Sequence, residues 1–171
     1  SLIQISLLCL IPTFSIAQID PTWGYVTAQK ADSLKRAVQS EKNDTLNMAA
    51  FRSLGFYYQD FIPDSGYYFH EKQLALSKKL KMNLWQADAY SQMGYVLSSS
   101  GNAIKSYDYF NESGKLAEDE KNEADNWRPW TFSNSKNSHE ARISILALKW
   151  VMMASLWNYL GETEKRKASS L

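Results

Sequence analysis

A chain of 171 residues is long enough to bury a real core within one domain. Nineteen basic against eighteen acidic residues leave a formal charge of +1, which removes any electrostatic reason to expect nucleic acid or an anionic membrane surface as partner. Six Trp, ten Tyr and seven Phe against seven Gly and four Pro suit packed helices better than a turn-rich all-β fold.

The first seventeen residues, SLIQISLLCLIPTFSIA, are uncharged and rich in Leu and Ile, and they end at Ser15-Ile16-Ala17 with small residues where a signal peptidase reads. Residues 1–17 are expected to be the remnant of an export signal, which places the mature chain in the periplasm or cell envelope. Cys9, inside that stretch, is the sole cysteine, so a mature chain starting at Gln18 has no disulfide, thiolate metal site or cysteine nucleophile.

Between Tyr25 and Glu41, Ala28, Ala31, Leu34, Ala37 and Val38 recur at helical spacing, and residues 18–45 are expected to form an N-terminal capping helix. After Asn43-Asp44-Thr45 a second helix runs from Leu46 to Asp60, and Pro63 opens a third that reaches about Lys81. Asn83 and Gln86 suggest a capping box for a fourth helix through about Ser100. Gly101-Asn102 ends that helix and caps a fifth, which fades into the charged run Glu118-Asp119-Glu120-Lys121, a solvated helix end. Residues 123–137, containing NWRPWTFSNSKN, read as an irregular insertion whose tryptophans fold back onto the fifth helix. Asn137 and Glu140 start a long helix that Gly161 is expected to stop, with a further helix opening at Thr163. Lys149 near the centre of the apolar Ile143–Leu160 stretch argues for a buried repeat helix over a membrane span.

Two segments share one pattern. Phe51-x2-Leu54-Gly55-x2-Tyr58 is followed by Gly66, Phe69 and Leu74, and Tyr90-x2-Met93-Gly94-x2-Leu97 is followed by Gly101-Asn102, Ser106-x3-Phe110 and Ser113. The two central glycines are 39 residues apart, and the first unit has a turn one residue shorter. Small residues at these positions let an antiparallel helix pair approach closely, Gly55 against Gly66 and Gly94 against Ser106, while flanking aromatics fill the groove to the next helix.

On these motifs, and on the phrases ADSLKRAVQSEKNDT, PDSGYYFHEKQLALSKKL and GNAIKSYDYFNESGKLAE, residues 32–121 resemble tetratricopeptide (TPR) repeats of exported bacterial proteins, above all the input domains of Bacteroidetes sensor kinases and regulators. The resemblance implies an all-α, TPR-like α-solenoid of antiparallel helix pairs. Residues 46–122 would supply two repeats and residues 138–171 a degenerate, incomplete third, with Ala154 in place of the glycine. It also implies a protein-interaction module whose inner face is built from the first helix of each unit: Ala49, Arg52, Phe56 and Gln59, then Asp88, Ser91, Gln92, Tyr95 and Ser99. The expected partner is a protein or peptide, with no nucleic acid, no cofactor and no membrane insertion of the mature segment apart from a possible downstream span. A constitutive envelope assembly factor would use the same face. An enzyme would instead need a pocket between helices, and the sequence offers no nucleophile, carboxylate pair, metal cluster or phosphate loop at usable spacing. His70 and His139, 69 residues apart, read as helix-surface residues.

Overall fold

The computed structural model describes residues 26–39, 45–124 and 137–169. The expected signal segment, the 40–44 break and the NWRPW insertion lie outside the described residues.

Six helices follow in chain order among the described residues: α1 Ala28–Val38, α2 Thr45–Tyr58, α3 Pro63–Lys79, α4 Asn83–Ser99, α5 Ala103–Glu118 and α6 Ser138–Ser169, with a short 3-10 helix at Glu120–Ala124. Among the described residues there is no strand. Helices adjacent in the chain pack on one another as antiparallel pairs, and α6 lies across both α4 and α5. The fold is the expected all-α, TPR-like solenoid.

Local chemistry sets the boundaries. Thr27 caps α1 by accepting from the Lys30 amide at 3.2 Å, Asn102 caps α5 through Lys105 at 3.3 Å, and Asn137 caps α6 through Glu140 at 2.9 Å. Pro63 occupies the first turn of α3. The capping box expected at Asn83 does not form. Met82 holds the cap position without a side-chain bond, while the Asn83 side chain accepts from the Gln86 side-chain Nε2 at 3.0 Å and donates to Asn122 at 2.7 Å. Helices α3 and α4 end in the same way. The Met82 amide returns to the Ser77 carbonyl and Lys81 to Lys78; Asn102 returns to Leu97 and Gly101 to Ser98. This double closure needs a left-handed residue, supplied by Gly101 at φ 82° and by Lys81 at φ 55°.

The glycines show how closely the pairs approach. A Cβ on Gly94 would lie 3.1 Å from the Phe110 ring, and the Ser106 hydroxyl donates to the Gly94 carbonyl at 2.8 Å, as the pattern requires. In the first unit the expected partner is corrected. Gly55 faces the imidazole of His70, while Gly66 lies against the Gln59 backbone, its added Cβ falling 2.5 Å from the Gln59 Cα. His70 therefore takes the place that Phe110 takes in the second unit, and the small-x3-ring motif is Gly66-x3-His70 rather than one ending on Phe69. His70 is fully buried, not a surface residue.

Gly161 does not stop α6, which continues to Ser169 without a turn at Thr163. The helix is also buried on one face only. Ala141, Arg142, Ile145, Lys149, Met153 and Leu156 point inward, and Trp150, Val151, Ala154 and Trp157 point out. Ser138–Glu162 is long and apolar enough to cross a membrane by length and composition. In this fold its central Lys149 packs over Gly114 and pairs with Glu118 at 2.7 Å. The charged run at the end of α5 is thus partly engaged, Glu118 holding Lys149; beyond the run Glu123 meets both His139 and Arg142, contacts that hold the Glu123 carboxyl below the usual carboxylate range.

Candidate functional site

The face shared by α2 and α4 is positioned by a polar chain that crosses three helices. Arg52 on α2 reaches Asp88 on α4 through two bonds, Nε to Oδ2 at 2.7 Å and Nη2 to Oδ1 at 3.1 Å. This fork-on-carboxylate geometry is the strong form of the contact, and both side chains are largely removed from water. Gln73 on α3 donates to Asp88 Oδ2 at 2.8 Å and to the Trp85 carbonyl at 3.3 Å. With its amide nitrogen so engaged, Gln73 turns its oxygen to His70 Nδ1 at 3.3 Å, which fixes Nδ1 as the protonated nitrogen. Nε2 of the neutral ring is then an acceptor; it lies 3.2 Å from Gln59 Oε1, and turning the Gln59 amide so that its NH2 group faces the ring makes this contact a hydrogen bond. Burial pushes the His70 imidazole down to about 4, against a smaller upward pull from its Gln73 hydrogen bond.

Above this chain the Arg52 guanidinium lies 4.6 Å from the centre of the Phe56 ring, which meets His70 edge to face at 5.7 Å. Tyr95, half-buried, donates its hydroxyl to Asp60 at 3.2 Å, and burial followed by the Asp60 charge raises its pKa. Ser99 is exposed and folds its hydroxyl back to the Val96 carbonyl at 2.9 Å.

The expected inner-face residues therefore divide into two sets. Ala49, Gln59, Asp88, Ser91 and Gln92 are buried, and Gln59 and Asp88 direct their polar atoms into the protein. Arg52, Phe56 and Tyr95 are half-buried, and Ser99 is exposed alongside Asp60. The sequence pattern missed the hub, His70, together with Gln73. Counting the small-x3-ring spacing strictly from Gly66 lands on His70 and would have found it. Among the described residues no group of three His, Cys, Asp or Glu side chains converges to hold a metal ion.

A family model described as the SusR N-terminal TPR domain matches residues 26–125. The chain belongs to this family. The SusR-type TPR match takes in α1 to α5 and the 3-10 helix and ends before α6. Comparison with curated proteins and with solved structures finds no match. The chain is a TPR-type helical scaffold, an architecture whose stacked repeats suit protein–protein contacts.

Proposed function

We propose that the chain is the extracytoplasmic input part of a signalling protein and recognises a protein or peptide on the α2–α4 face. The observation that carries this reading is the Arg52–Phe56 stack beside Tyr95, a cation, an apolar ring and a hydroxyl kept partly accessible over a buried network that holds them still. Rigid aromatic and arginine anchors are what small recognition surfaces use most. In this reading Phe56, Tyr95, Ser99 and the edge of Arg52 meet the partner. Gln59, Asp88 and Gln92 support them from beneath. The uncharged segment ending at Ser15-Ile16-Ala17 supports export, and the family description, an N-terminal domain, fits a module that precedes an output domain.

Quantitative capture from envelope extract tests the proposal, with Phe56→Ala, Tyr95→Ala and Ser99→Arg as probes and Lys72→Glu, on the exposed side of α3, as control. The expected result is a partner that all three probes weaken and the control leaves bound. Equal recovery with every variant would place recognition elsewhere.

A further inference from the structure

The outward face of α6 has no counterpart in the repeat. Ile143, Ala147, Trp150, Ala154, Trp157 and Gly161 follow one another at alternating steps of four and three residues, and all six are exposed. Large residues recur every seventh position at 143, 150 and 157, and small ones every seventh at 147, 154 and 161. A seven-residue repeat on a helix surface is the signature of a seam that packs against another helix.

Gly161 supplies an independent indication. Each of the other helical glycines among the described residues, Gly55, Gly66, Gly94 and Gly114, is explained by an atom of this chain that a Cβ would strike. A Cβ at Gly161 would meet nothing within 4 Å. A helical glycine costs about 1 kcal/mol relative to alanine, and no contact among the described residues repays it.

We infer that α6 pairs with α6 of a second copy, antiparallel, about a two-fold axis passing Met152. In that register Ile143 faces the other copy's Gly161, Ala147 faces Trp157 and Trp150 faces Ala154, so each large residue meets a small one. This self-complementarity is the condition an isologous interface must satisfy, and a further helix of different sequence would not require it. The area is that of a small interface. Ile143, Trp150, Val151 and Trp157 are 46%, 61%, 62% and 62% exposed. Aromatic side chains bury roughly 150–250 Å² each and Ile and Val somewhat less, so these four leave roughly 400 Å² open per copy. A pair with the intervening alanines approaches the roughly 1,000 Å² that a specific interface needs. A bilayer would need no alternation of large and small residues, and Ser144 and Asn158 flank the seam with polar groups. The family match ends at residue 125, and the seam lies beyond it on α6.

Sedimentation velocity of the 171-residue chain at micromolar concentrations tests the pairing through a size swap. Wild type is expected to dimerise, and Ala154→Trp, which sets two indoles against each other, to dissociate at least tenfold more readily. Trp150→Ala/Ala154→Trp restores a large residue opposite a small one and regains dimerisation. All three retain the apolar residues 1–17, so association through that segment cancels in the comparison, and helical circular dichroism confirms folding. A wild type that stays monomeric, a double variant no tighter than Ala154→Trp alone, or wild type that binds phosphatidylcholine vesicles in place of pairing overturns the inference.

Discussion

Gly55→Ala isolates the contact on which the first unit depends. A Cβ at this position falls on the His70 ring, 2.5 Å from Nε2 and 2.6 Å from Nδ1, whereas carbon contacts settle near 3.5 Å. The ring must withdraw by about 1 Å. It is fully buried and held at both nitrogens, so moving it stretches the bonds to Gln59 and Gln73, already at 3.2 and 3.3 Å. Leaving buried polar groups short of a partner costs about 1–3 kcal/mol each, and overpacking adds about 1–3 kcal/mol. Against this, alanine gains up to about 1 kcal/mol of helix propensity. The net expectation is a loss of about 3 kcal/mol, or roughly 6–12 °C in Tm for a chain of this size. Urea and thermal unfolding followed by circular dichroism measure it. His70→Ala in the same background removes the obstacle, so the double variant should be no less stable than His70→Ala alone. A Gly55→Ala protein as stable as wild type would refute the assignment of His70 to the groove between α2 and α3.

Three further outcomes follow from the same geometry. The folded His70 pKa, about 4, lies below its unfolded value of 6.5, so the unfolded chain binds the extra proton between these limits and stability falls as pH drops from 6.5 to 4. The loss approaches about 3 kcal/mol at the acid end, and His70→Gln should flatten that part of a pH–stability profile. Arg52→Leu and Asp88→Leu should each cost about 3 kcal/mol by stranding a buried charge, and the double variant should cost less than their sum by about 1–3 kcal/mol; additivity in urea unfolding would show that the pair is not coupled. Lys81→Gly should raise stability by about 0.5–1 kcal/mol, because the left-handed backbone at φ 55° is unstrained for glycine, and a lowered Tm would contradict that view of the α3 terminus.

The helices were legible because their signals are local. Pro63, Asn102 and Asn137 act within one turn of where they stand, and the apolar spacing around Ala31, Leu54 and Phe110 reports burial directly. The family resemblance was legible for the same reason, since Gly94, Ser106 and Phe110 keep their spacing. What escaped was chemistry made by three helices at once. A polar residue such as His70 or Asp88 normally marks a solvated face, and only the meeting of Arg52, Gln59, Gln73 and Asp88 around it makes burial tolerable. The structure buries Gln59 and Asp88, expected on the inner face, within that network, and it buries Gln92 as well. Gly161 misled in the opposite direction: glycine usually ends a helix, yet the helix passes through it.

The groove between the paired helices is filled by an imidazole in the first unit and by a phenyl ring in the second. Repeat proteins are often treated as interchangeable bricks, each stacking on any neighbour. Here the first brick is keyed. Exchanging α3 for a copy of α5 would set a phenyl ring against the Gln59 amide, remove Gln73 from Asp88 and leave the Arg52–Asp88 pair without its third member. The order of the units is therefore written into the interior, and a permuted or duplicated array built from these two units would need its buried hydrogen bonds redesigned before it could stack.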